Sequence, residues 1–133
     1  MKVSFDFDGT LSEIEVQNFA TSLLQRGFDV FIVTSRINTE NAMAKGWHWI
    51  KRQNEELYEV SDRCGISRDN IIFTEMVDKI EYLAGKDFIF HLDDSDEEIE
   101  RISESEDGCE AVDVKIGSWK EECEKILLNY QTR

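Results

Sequence analysis

The sequence predicts an α/β fold built on one doubly wound, Rossmann-like sheet of five mainly parallel strands. Two observations carry that expectation. Short β-rich runs alternate five times with helix-patterned segments. The connections are short, so right-handed crossovers place helices on both faces of the sheet. The 133 residues suffice for one domain with one core, residues 1–133, and no repeat, low-complexity stretch or linker divides them.

Val3, Phe5 and Phe7 are β-formers in a near-continuous apolar run, the pattern of a buried parallel strand. Ser12 with Glu15 reads as a capping box opening the first helix, and Gly27 as its stop. Ile14, Phe19, Leu23 and Leu24 give that helix a partial apolar stripe. Phe28 to Val33 is the second strand and runs into Thr34-Ser35-Arg36. A helical region follows from about Thr39 to Cys64, with Gly46 a candidate break. Met43, Trp47, Ile50 and Leu57 lie close to one face, which makes Trp47 a core residue and leaves Trp49 partly exposed. Gly65 ends the helix, and Ile66 supplies the apolar contact of the cap.

Asn70 to Thr74 is a short third strand, and Lys79 to Leu83 a short helix or turn closed by Gly85. Asp87 to Leu92 is the fourth strand, stopping at Asp93-Asp94. Ser95 with Glu98 makes another capping box, for a helix to about Glu104. Ala111 to Ile116 reads as the fifth strand. Ser118 with Glu121 caps a last helix with Trp119, Cys123, Ile126, Leu127 and Tyr130 on its apolar side, and Gln131-Thr132-Arg133 is expected to fray.

Composition narrows the function. A net charge of −14 argues against general affinity for nucleic acid or an anionic membrane. No apolar run approaches the ~20 residues of a membrane span. The chain enters a strand at once, without the apolar region and cleavage site of a signal peptide. Cys64, Cys109 and Cys123 are widely spaced, odd in number and form no CxxC pair. They read as reduced thiols, and a cytoplasmic location is expected.

Chemistry-bearing residues fall where strands end. Asp6 and Asp8 close the first strand, and Gly9 lets the chain turn sharply. In an extended chain the two carboxylates point the same way. Unit charges ~4 Å apart repel by about 4 kcal/mol at an effective dielectric near 20, which a hard divalent cation or a shared proton relieves. Thr34 ends the second strand, Lys79 follows the third, and Asp93 and Asp94 end the fourth. In a parallel sheet these ends share one edge, so two acidic clusters, a hydroxyl and a cation converge on one crevice. Those are the parts of phosphoryl transfer.

DFDGTL at Asp6 to Leu11, VTSR at Val33 to Arg36, the lone Lys79, and HLDD at His91 to Asp94 together resemble the haloacid dehalogenase superfamily of phosphohydrolases. The resemblance runs from the first strand to the fourth, in the family's order. It implies Asp6 as the nucleophile that forms an aspartyl-phosphate, and Asp8 as the general acid/base. It implies a phosphate-holding hydroxyl at Thr34 and a charge-balancing cation at Lys79. Gly9, Thr10, Ser35 and Arg36 fall at substrate-binding positions. Magnesium is the implied cofactor, held by a carboxylate oxygen of Asp6, the backbone carbonyl of Asp8, and Asp93 or Asp94.

No segment is long enough for the cap domain that many relatives carry. A small capless phosphatase is therefore expected, its open site able to admit a phosphorylated polynucleotide end, a nucleotide, a phosphoprotein or a small metabolite. Nucleic acid enters only as a substrate, and the oligomeric state stays open. Trp49 is either a surface tryptophan or a platform for a substrate base or partner. Arg36 is a surface arginine or an anion contact. His91 reads as a satisfied core histidine, His48 as exposed, and Asp113 as a distant support of the site. Asp96 and Glu97 read as first-turn helix residues. Two other classes compete with the enzyme: a catalytically idle binding or regulatory module, and a response-regulator-like phosphoacceptor. Retention of Asp6, Asp8 and Lys79 weighs against the first, and the order of the acidic motifs against the second.

Overall fold

A computed structural model describes residues 1–131; the fraying expected of Thr132 and Arg133 lies outside the described residues. The elements are β1 (Lys2–Phe5), α1 (Ile14–Gln25), β2 (Asp29–Thr34), α2 (Thr39–Ala44), α3 (His48–Cys64), β3 (Ile71–Phe73), α4 (Ile80–Leu83), β4 (Phe88–Asp93), α5 (Asp96–Glu104), β5 (Glu110–Asp113) and α6 (Trp119–Gln131). The strands form one open, all-parallel sheet in the order β3-β2-β1-β4-β5. From β1 the chain builds outward through β2 and β3, then crosses back to add β4 and β5. This reversal sets the ends of β1 and β4 side by side, where open α/β sheets form their crevices. No cap domain covers that edge among the described residues.

The two faces are unequal. Val30 and Ile32 of β2 join the larger core with α1, α3 and α6. Phe31 and Val33 turn to a smaller core with Leu83 of α4 and Ile102 of α5, as a period of two requires. A bulge in β4 shifts the pairing, with Lys2 opposite Phe88 but Val3 opposite Phe90. The extra residue lets Ile89 and Phe90 both join the larger core, while Phe88 serves the smaller.

Helix ends follow the sequence in part. Gly27 (φ +91°) closes α1, with Gly27 N–H donating to Leu24 O and Phe28 N–H to Leu23 O, the paired bonds of a Schellman cap. Gly65 closes α3 similarly, and Ile66 is buried beside it. Gly46 does split the helical region, and Trp49 is 58 % exposed.

Several local readings need correction. Ser12 does not cap α1: the helix starts at Ile14 after an extended Glu13, and Ser12 Oγ accepts from Gly9 N–H. Ile14 is consequently exposed rather than part of the stripe. Met43 is exposed and Trp47 only half-buried, because the chain leaves the helix between α2 and α3 and the periodicity does not carry across. β5 stops at Asp113: Val114 N–H still donates to Asp93 O of β4, and the chain then turns, with Ile116 N–H donating back to Asp113 O.

Candidate functional site

The first motif leaves the strand sooner than its pattern suggests. Asp6 is still held by β4, its N–H donating to Leu92 O at 2.9 Å. Asp8 (φ −65°, ψ 123°) and Gly9 (φ 74°, ψ 2°) then adopt the two central conformations of a type II turn. Wider bonds from Leu11 N–H to Asp6 O (3.0 Å) and Ser12 N–H to Phe7 O (2.9 Å) close the loop. The two carboxylates therefore differ in exposure: Asp6 is buried, whereas the Asp8 side chain is 59 % exposed. The difference arises because the regular strand ends before Asp8, which lies in the turn.

Asp6 belongs instead to a buried polar chain on the smaller face of the sheet. Lys79 Nζ donates to Asp6 Oδ1 and to Asp93 Oδ2, each at 2.7 Å. Asp93 Oδ2 also meets His91 Nε2 at 2.7 Å, and His91 Nδ1 meets Ser4 Oγ at 2.8 Å. Burial holds the His91 pKa below its ordinary value, so the ring is neutral. The hydrogen-bond pattern then assigns the proton to Nε2, facing Asp93, with Nδ1 accepting from Ser4. Asp93 Oδ1 accepts from the N–H groups of Asp94 (2.8 Å) and Ser95 (3.0 Å). Thr10 Oγ1 donates to Asp6 Oδ2 at 3.3 Å.

These partners divide the charges. Burial pushes Asp6 up to about 8, against the opposing pull of Lys79. Burial also opposes ionisation of Asp93, but the His91 hydrogen bond and Lys79 outweigh it and hold that carboxyl well below the usual range. Burial would lower Lys79, yet the flanking carboxylates raise it, so the ammonium stays charged. The loop bearing Lys79 is tied down at both ends. Thr74 N–H donates to Thr34 O, Glu75 N–H to Arg36 O and Met76 N–H to Ser35 O, while Lys79 N–H donates to Glu98 Oε2 at 3.0 Å. Glu98 thus forms only half of the expected capping box: its N–H donates to Ser95 Oγ, but its carboxylate is spent on Lys79.

An open cavity of about 540 Å³ sits over this cluster, lined by Asp6, Asp8, Gly9, Ser35, Met76, Asp78, Lys79, Asp93, Asp94, Ser95, Glu97, Glu98 and Arg101. The structure thus brings Asp6, Asp8, Gly9, Ser35, Lys79, Asp93 and Asp94 to one surface. Thr34 and Thr10 are fully buried beneath it; Thr34 Oγ1 accepts from Arg36 N–H at 3.3 Å. Arg36 does not line the cavity but pairs with Asp8. Trp49 also lies off the lining, its ring 6.0 Å from that of Trp47. Asp113 pairs with Lys115, whose ammonium reaches Asp94 O at 2.6 Å, so its support of the site is indirect. Met76, Asp78 and Arg101 are lining residues the motifs do not mark. Asp78 has a signal in its adjacency to Lys79, while the other two depend on loop and helix placement.

Asp6, Asp93 and Asp94 each offer a carboxylate oxygen, and these atoms lie within 4.8 Å of one another. Hard oxygen donors at such spacing suit a divalent cation such as magnesium. Asp8 offers no side-chain oxygen to that group. Gly9 is fitted to it: a Cβ there would overlap the Asp94 carboxylate, with Cγ at 2.9 Å. The three cysteines are free and buried, away from the cavity. Among the described residues no helix is long and apolar enough to cross a membrane. Comparison with family models, curated proteins and solved structures gives no match.

Proposed function

We propose that this chain is a magnesium-dependent phosphomonoesterase of the haloacid dehalogenase type, with Asp6 as its nucleophile. The observation that carries the reading is the Lys79 ammonium, buried and shared at 2.7 Å between Asp6 and Asp93 beneath an open cavity. A buried cation between two carboxylates is costly to assemble for stability alone. At a phosphoryl site it offsets repulsion between a carboxylate nucleophile and an anionic substrate.

In the first step an Asp6 oxygen attacks phosphorus, the bond to the leaving oxygen breaks, and that oxygen takes a proton from the Asp8 carboxyl. In the second step water attacks the aspartyl-phosphate, the Asp8 carboxylate takes its proton, and Asp6 departs as carboxylate. The sum converts a phosphomonoester and water to an alcohol and phosphate, with both aspartates restored. Asp6, Asp93 and Asp94 would hold magnesium, which when bound supplies positive charge that keeps Asp6 ionised and neutralises phosphate oxygens. Ser35, on the cavity surface, offers a hydroxyl to the phosphate more directly than the buried Thr34.

The lining also speaks to substrate. Seven carboxylates (Asp6, Asp8, Asp78, Asp93, Asp94, Glu97 and Glu98) face only Lys79 and Arg101 among the lining cations. That balance repels polyanions and favours a single phosphate on a neutral or cationic alcohol over a nucleotide or polynucleotide end. The test is phosphate release from a panel of sugar phosphates, phosphopeptides, nucleotides and 5′- and 3′-phosphorylated oligonucleotides, with magnesium and then with EDTA. Release that needs both magnesium and Asp6 is the expected result. Release unchanged in Asp6→Asn, or absent across the panel, refutes the reading.

A further inference from the structure

We propose that Arg36 is a positioning residue for Asp8, and that it does not bind the substrate phosphate. The inference rests on the phosphatase reading above and deepens it. Arg36 Nε donates to Asp8 Oδ2 at 2.9 Å and one terminal nitrogen to Asp8 Oδ1 at 2.6 Å, a two-pronged grip. The other terminal nitrogen donates to Gln53 O at 2.7 Å, which anchors the guanidinium to α3. Its plane lies over the Phe7 ring, 4.9 Å from the centroid. All three guanidinium nitrogens are engaged, and the side chain is 17 % exposed.

Asp8 has no comparable support of its own. It sits mid-turn, is 59 % exposed, and pairs with Arg36. An exposed aspartate on a turn samples several rotamers, whereas proton transfer requires hydrogen-bond reach of one particular oxygen. Arg36 is held by elements outside that turn, so it lends their rigidity to the carboxylate. A phosphate ligand would be left only the two N–H donors these contacts do not use, on a side chain that does not line the cavity. The grip couples the Asp8 side chain to α3 and the second strand end, across which the first motif makes no covalent connection.

The test compares Arg36→Ala and Arg36→Lys on two monoesters, an alkyl phosphate and p-nitrophenyl phosphate, with inorganic phosphate as inhibitor. Aryl oxide leaves without a proton, so the first step depends on an oriented Asp8 only for the alkyl ester, while the water step depends on it for both. The expected result is a fall in kcat of about 10- to 100-fold on the alkyl ester, with KM and phosphate inhibition changed less than about 3-fold. On the aryl ester the loss in kcat/KM, which does not contain the water step, is expected to stay below about 3-fold. Arg36→Lys does not rescue, because an ammonium lacks the planar fork and the stack. In an Asp8→Ala background, Arg36→Ala adds nothing further on the alkyl ester.

A parallel rise in KM and in the inhibition constant for phosphate overturns the proposal in favour of substrate binding. Equal losses in kcat/KM on both esters, with lower thermal stability, overturn it in favour of packing. An activity-independent measurement separates this failure from failure of the phosphatase reading. The Arg36 Nε–H resonance should shift in Asp8→Asn, and an unmoved resonance overturns the grip whatever the enzyme does. Absence of any Asp6-dependent turnover, with the resonance shifted, instead removes the reading on which the catalytic role rests.

Discussion

Replacing Lys79 by methionine keeps most of the side chain's apolar length and removes its charge. The ammonium is nearly inaccessible, 3 % exposed, between side chains of Asp6 (7 %) and Asp93 (1 %). Removing one member of a buried ion pair typically costs 3–5 kcal/mol, because the remaining charge is stranded. Near neutral pH the cost should sit at the lower end, about 3 kcal/mol, for two reasons. Asp93 retains His91 and two backbone N–H donors. Asp6 is raised by burial to about 8 and holds its own proton.

The pH dependence gives the sharper test. The folded protein keeps a proton on Asp6 that the unfolded chain releases above its ordinary value of 3.8. That contribution to stability is complete below 3.8 and is lost as pH rises to about 8. Above 8 the wild type ionises Asp6 against Lys79, which burial disfavours but its two carboxylates keep charged. Without Lys79, Asp6 keeps its proton to higher pH, and the variant loses about 1.4 kcal/mol per pH unit relative to wild type. Urea unfolding monitored by far-UV circular dichroism should therefore give a loss of about 3 kcal/mol near pH 6.5 and about 5 kcal/mol near pH 9.5. A loss below about 1 kcal/mol at both pH values would refute the assignment of Lys79 as the counter-ion of this cluster.

Two glycines with nearly equal φ make a matched pair. Gly9→Ala and Gly46→Ala should each lose about 1–2 kcal/mol in urea unfolding for a left-handed backbone (φ +74° and +76°). Only Gly9→Ala should also abolish magnesium-dependent activity, since its Cβ meets Asp94 while that of Gly46 meets nothing within 4 Å. Magnesium should raise the melting temperature more at about pH 8.5 than at about pH 6, because below about 8 the ion must displace the Asp6 proton. A magnesium shift in wild type that is independent of pH would contradict that competition, and Asp6→Asn should remove the dependence.

What the sequence shows plainly is what depends on alternation and on strand ends. Five β-rich runs separated by crossovers leave a parallel sheet as the economical arrangement, and in it Asp6, Lys79 and Asp93 reach one edge whatever the details. Less legible are features set by a single turn or a single register. Asp6 and Asp8 look alike at a spacing of two, but the turn separates them, and only its dihedral angles reveal it. Ser4 and His91 lie opposite each other through the β1–β4 pairing, downstream of a bulge that no residue pattern announces. Gly46 marks a break but not the change of helical phase that leaves Trp47 half-buried. Glu98 matches a capping-box pattern, yet the Lys79 N–H, distant in sequence, competes for its carboxylate.

The unequal faces of the sheet explain how the protein tolerates this site. The larger core draws α1, α3 and α6 onto one side, with Phe5, Phe19, Phe90 and Trp119 in edge-on aromatic contacts. The smaller face gives part of its area to Ser4, His91, Asp93, Lys79 and Asp6, none of which adds apolar burial. The loop that delivers Lys79 also holds Glu75 and Met76 at φ +54° and +71°, a conformation costing non-glycine residues about 1–2 kcal/mol each. Strain and buried charge thus concentrate on one side, offset by apolar packing on the other. On the proposed phosphatase reading, such a division would let the reacting groups be fixed before a substrate arrives, which is where preorganised charge gains its catalytic advantage. Asp8 stands outside that rigid set, alone on an exposed turn, and Arg36 extends the order of the scaffold to it.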